Sequence, residues 1–203
     1  MTKAEKLKLL DQFKQFLNLN EQESLTVFRE TPMETEEYEI GDRICFDLIT
    51  GEKVVAIAVA HDDDGTVFVL KDCLKDEAPM NEKDTTAGGY GESAMRKLLN
   101  REILNIFPEI VRDKMKPFEN GDHLRLLTIR EVFGKGDTDE GQLPYFKDRH
   151  NRIAFRGHGS NEMEWWWLQD VASGTTFAHC NTYGDSTGTN ASFSLGVRPA
   201  FKI

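Results

Sequence analysis

Trp165-Trp166-Trp167-Leu168 and, at the chain's end, Gly196-Val197-Arg198-Pro199-Ala200-Phe201-Lys202-Ile203 enclose the stretch that decides the fold. Both flanks read as strands. In the second, Leu195, Val197, Pro199 and Phe201 share one face, while Gly196, Arg198, Ala200 and Lys202 take the other. Pro199 lacks an N–H, so this strand is expected at an edge or with a bulge. In the first, successive side chains alternate, so three consecutive tryptophans cannot all face one core. Between the flanks, residues 172–196 contain no Lys, Glu, Gln, Met or Trp, although all five types occur elsewhere. Such a stretch suits a displayed surface better than a packed amphipathic helix.

Outward from this bracket, bulk properties narrow the function. The 203 residues suffice for one large domain with a buried core, or one domain with an appendage. A formal charge of -10 without any Lys/Arg run excludes the cationic surface that nucleic acids require. Cys45, Cys73 and Cys180 form no C-x-x-C pair and are odd in number, which fits a reducing compartment. Met1 to Phe16 mixes Lys with apolar residues and has no continuous hydrophobic run, so neither a signal peptide nor membrane insertion is expected. The expected location is the cytoplasm or a phage particle.

Residues 4–19 carry Leu7, Leu10, Phe13 and Leu17 at helical spacing, and a second short helix is expected over residues 21–28, before Thr31-Pro32. This segment can dock on the main domain or drive homo-oligomer formation. From Tyr38 the period becomes two, giving strands near residues 43–48, 54–60 and 66–70. Asp62-Asp63-Asp64-Gly65 reads as a hairpin turn; its acids lack the alternate spacing of an EF-hand. Ser93 caps a helix whose apolar face is Met95, Leu98, Leu99, Ile103 and Ile106. Residues 109–115 form a short helix and residues 124–128 a buried strand, and Thr128 with Glu131 caps the next helical turn. The loop over residues 133–149 holds Asp137, Asp139 and Glu140; a solvated acidic loop is the commoner outcome than a cation site.

Four pieces together resemble a domain-of-unknown-function family of bacteria and their phages. They are Tyr38-Glu39-Ile40-Gly41-Asp42, Ser93 to Asn100, Leu126-Leu127-Thr128, and the Trp166-Trp167-Leu168 to Gly196–Phe201 bracket. The resemblance covers roughly residues 36–203 and implies a C-type-lectin-like fold, related to formylglycine-generating enzymes. Family members often carry Arg and then Ser or Thr after Trp-Trp-Leu, where this chain has Gln169-Asp170. Variable proteins of diversity-generating retroelements share the fold and end in a segment mutagenised at template adenines. An Asn codon altered at its adenines never encodes Lys, Glu, Gln, Met or Trp, and residues 179–194 all lie within the reachable set. The catalytic alternative needs a pair of cysteines in the carboxy-terminal region, where only Cys180 stands. His179 beside it would point to the other face of a strand. Lectin-type calcium sugar binding uses Glu-Pro-Asn or Gln-Pro-Asp with Trp-Asn-Asp, and the sequence contains none of these.

The expectation is therefore an α+β chain: a helical segment over residues 1–32, then a C-type-lectin-like domain over residues 33–203. Its twisted antiparallel sheet is expected to bring the first and last strands together, with flanking helices. The function expected is non-enzymatic ligand binding through Asn181, Tyr183, Asp185, Thr187, Asn190, Ser192 and Phe193, held still by Trp165, Trp166, Trp167 and the terminal strand. A protein or cell-surface ligand is the expected partner, with no metal or other cofactor.

Overall fold

The computed structural model describes residues 38–136 and 138–203. The expected helices over residues 4–19 and 21–28, the boundary at 32/33 and the helix-driven oligomer lie outside the described residues. Within them the chain is mixed α+β and its strand pairs are antiparallel. The strands are β1 (Arg43–Asp47), β2 (Lys53–Asp62), β3 (Gly65–Leu70), β4 (Ala78–Pro79), β5 (Ala154–Phe155), β6 (Met163–Glu164), β7 (Trp166–Val171), β8 (Thr176–Cys180), β9 (Ser186–Asn190), β10 (Ser194–Leu195) and β11 (Ala200–Lys202). A central sheet runs β1-β2-β3-β11, a second runs β7-β8-β9, and β10 pairs with β4 as β5 does with β6.

The central sheet is buried on both faces, so its hydrophobic alternation is double. Val54, Ala56 and Ala58 of β2 join Phe68, Leu70 and Phe201 in one core, while Val55, Ile57 and Val59 join Val67, Val69 and Ala200 in the other. Met95, Leu99, Ile103, Phe107 and Val111 close the first core. Leu127, Val132, Phe146, Trp166 and Leu168 close the second. The Ser93 hydroxyl caps the helix at Ala94–Leu98 by accepting from Arg96 N at 3.1 Å, and a π turn over Leu99–Ile103 leads into Leu104–Ile106. The capping box is complete: Glu131 N donates to the Thr128 hydroxyl at 3.1 Å, and Thr128 N donates back to Glu131 at 2.7 Å.

Three expectations are corrected. The first and last strands do not meet: β11 pairs with β3, Phe201 opposite Phe68, and β1 lies at the far edge. Two tight turns lay β1, β2 and β3 side by side, which leaves the free edge of β3 for the chain's end. The Lys202 ammonium adds to that pairing, bonding Asp62 at 3.1 Å and Asp64 at 3.4 Å in the β2–β3 turn. Leu124, Leu126 and Leu127 are buried as expected, but residues 124–128 form no strand, only one bridge from Arg125 to Ala200. Side chains take the backbone donors there: Asn100 Oδ1 accepts from Leu124 N at 3.0 Å, and the Tyr90 hydroxyl accepts from Leu126 N at 3.2 Å. Third, residues 195–201 are not one strand. The ladder breaks between β10 and β11, around Pro199, yet the alternation of faces survives across the break.

Gly196 shows how tightly this segment is set. Its backbone bonds Trp165 O and Trp167 N, and a Cβ there would sit 2.6 Å from Cys73 Sγ, 2.6 Å from Glu164 Cγ and 2.9 Å from Trp165 O. Gly196→Ala must push backbone apart in a filled core. It should lower the free energy of unfolding by about 1–3 kcal/mol in urea melts; an unchanged midpoint would contradict this packing.

Candidate functional site

The β7-β8-β9 sheet builds the region expected to bind. Register places Trp167 opposite His179 and His179 opposite Thr187, while Trp166, Cys180 and Ser186 form the adjoining row. Side chains alternate, so Cys180 points into the core with Trp166, and His179 points the other way. The two cannot act as nucleophile and base. Cys180 is buried, its thiol donates to Arg152 O at 3.4 Å, and burial pushes its pKa up to about 12.

The seven expected residues fall into three groups. At the β8–β9 tip, Asn181 Oδ1 accepts from Tyr183 N at 2.8 Å and Asp185 N at 3.0 Å, an Asx-type turn that suits this residue. Arg149 clamps the same tip, donating to Tyr183 O at 2.6 Å and to the Asp185 carboxylate at 2.8 Å. In the middle, Thr187 Oγ1 lies 2.8 Å from His179 Nε2. Beyond β9, Asp84 takes Asn190 Nδ2 at 3.2 Å, Ser192 N at 3.1 Å and Ser192 Oγ at 2.6 Å. Asn181, Asp185, Asn190 and Ser192 therefore hold loops in place. Tyr183 and Phe193 stay free, 73 % and 55 % exposed, with Trp165 at 43 %.

Trp165 was expected to help hold the frame and instead stands half out of it. Trp166 and Trp167 are sealed in the two cores, with their indole N–H groups donating to Arg152 O and Ala78 O at 2.8 Å each. Trp165 stacks on the His179 ring, with centroids 4.9 Å apart and planes 19° from parallel. The tryptophan triplet and the period-two rule demanded one outward ring, but could not say which. Asp84 and Arg149 carried no signal, because their partners lie 108 and 36 residues away along the chain.

His179 is the buried polar group of this face. Nδ1 has no hydrogen-bond partner among the described residues, and burial pushes the imidazole pKa down to about 4. It is therefore neutral at pH 7. Elsewhere, Asp139 pairs with Lys147 at 3.3 Å and Glu140 with Arg130 at 2.6 Å, while Asp137 lies outside the described residues. Among the described residues, no group of three or more His, Cys, Asp or Glu could hold a metal. None of their helices is long and apolar enough to cross a membrane.

The model of a family described as "Domain of unknown function (DUF6273)" matches residues 64–203, well over half of the chain. The chain belongs to that family. No curated protein and no solved structure matches it.

The depressed His179 pKa has a defined sign. The unfolded chain binds this proton near pH 6.5 and the folded chain only near 4, so the contribution to stability is complete above about 6.5 and is lost as pH falls toward 4. The loss is on the order of 3 kcal/mol. Urea melts across that range should slope less steeply for His179→Gln than for the native chain. Equal slopes would mean that His179 is not held neutral.

Proposed function

For this member of a family of unknown function, we propose a non-enzymatic ligand-binding role on a C-type-lectin-like frame. The observation that supports it most is the division of labour along residues 179–194. Asn181, Asp185, Asn190 and Ser192 are consumed in fixing loops, whereas Tyr183 and Phe193 project from fixed backbone. Large rings on a rigid support bind without much loss of side-chain freedom, which is how aromatic anchors come to dominate recognition surfaces. Trp165 extends the same chemistry. The partner is a protein or cell-surface molecule with an apolar contact patch.

The finer reading is that of a retroelement variable protein. Thr182, Tyr183, Ser186 and Phe193 belong to the adenine-reachable set and have no side-chain hydrogen bonds among the described residues, so replacing them leaves the loop bonds intact. Asn181, Asn190 and Ser192 are reachable too, but their hydrogen bonds would constrain them. This reading expects a near-copy of the segment in neighbouring DNA, differing only at adenines and lying beside a reverse transcriptase. Failure to find both would remove diversification and leave ligand binding standing.

Two measurements test the role itself. The full chain, immobilised against arrays of proteins and glycans, should retain partners that Tyr183→Ala/Phe193→Ala loses by about 10-fold or more, while its melting temperature holds. Partners kept equally by both forms would place recognition elsewhere. Cys180 should resist iodoacetamide until the chain unfolds. Cys45 is exposed and labels in any case, so the readout is peptide by peptide; rapid labelling of Cys180 itself in the native protein would favour the oxidoreductase alternative built on that thiol.

A further inference from the structure

A groove of about 550 Å³, independent of the surface above, opens beside the helical segment that covers the first core. The π turn keeps Leu98, Glu102 and Ile106 on one side of that segment, with Ile103 between them. Leu98, Ile103 and Ile106, with Leu74 and Val197 from outside the segment, line an apolar floor. Leu98 and Ile106, expected on the helix's apolar face, are half-buried: they pack against the first core and also line the groove.

The rim is acidic. Glu52, Asp76, Glu77 and Glu102 line the groove, and among the described residues Lys75 is the one cation that does. Glu77 pairs with Arg156, a cation it shares with Glu164. Among the described residues, no cation lies within 4.0 Å of the carboxylates of Glu52, Asp76 or Glu102. Burial, with the neighbouring Asp76 charge, raises the Glu52 pKa, which the 3.1 Å bond from Lys75 N and the Lys75 charge offset only in part. The groove thus presents unneutralised anions over hydrocarbon, in a volume typical of small-molecule sites.

Among the described residues, no aromatic ring lines it. Quaternary ammonium groups are held by aromatic cages, whereas carboxylates hold cations that can donate N–H bonds. We propose that this groove binds a small organic amine: a primary or secondary ammonium head on the rim and an aliphatic body on the floor.

The test is a titration of the ¹⁵N-labelled full chain at neutral pH with n-hexylamine, n-hexyltrimethylammonium and n-hexanoate in parallel. Hexylamine should move the amides of Lys75, Glu102, Ile103 and Val197 saturably, and the other two should bind at least about 10-fold more weakly. Asp76→Asn/Glu102→Gln, which changes two exposed residues, should weaken hexylamine by a similar factor with the amide spectrum otherwise native. Three results would each overturn the proposal. One is hexanoate or the trimethyl compound equalling the amine, another is no saturable shift up to the amine's solubility, and the third is unchanged affinity in the double variant.

Discussion

The buried guanidinium of Arg198 is the interaction on which the carboxy-terminal half depends. It is fully enclosed, and among the described residues no carboxylate pairs with it. Nε donates to Leu70 O at 2.8 Å and both terminal nitrogens reach Asn151 O at 3.3 Å. The carbon of the guanidinium lies 4.7 Å from the Trp166 ring and 5.4 Å from that of Phe146. Burial pushes its pKa down, yet arginine starts so high that it keeps its charge. Carbonyl dipoles and ring faces must offset the cost of removing that charge from water. One side chain thereby joins the end of β3, the turn at Arg149–Arg152, strand β7 and the terminal segment.

That junction explains why the β8–β9 hairpin can be polar without being loose. Strand β8 sends Phe177 into one core and Ala178 and Cys180 into the other, so the hairpin's inner strand is locked from both sides. Arg149, which clamps the tip, belongs to the same short turn whose Asn151 carbonyl receives Arg198. The frame and the tip share a support, while the exposed rings of Tyr183 and Phe193 lie outside it. Rigidity resides in the backbone and freedom in a few side chains, the arrangement a recognition surface needs.

The sequence made the regular parts legible. Alternation in β2 and β3, the Asp-Gly turn, the Ser93 cap and the Thr128–Glu131 box all act over a few residues, and each appears as expected. What escaped involves partners far apart in the chain. The pairing of β11 with β3 instead of β1 brings Phe201 onto Phe68 and Lys202 to Asp62 and Asp64, contacts between residues more than a hundred positions apart. Residues 124–128 failed as a strand because Asn100 and Tyr90 satisfy their amides. Within the binding region, composition marked the right segment but could not separate residues that hold loops from residues that project. That distinction depends on Asp84 and Arg149, whose loops carry no periodic signal.

The central claim is that the displayed side chains are energetically separate from the frame that carries them. Hydrogen exchange measured amide by amide on the full chain tests this most directly. Replacing Thr182, Tyr183, Ser186 and Phe193 together by Ala should leave the protection of the Leu70, Arg125 and Trp167 amides unchanged, whereas Arg198→Met should reduce it at all three. Loss of protection in the fourfold variant comparable to that of Arg198→Met would contradict the account.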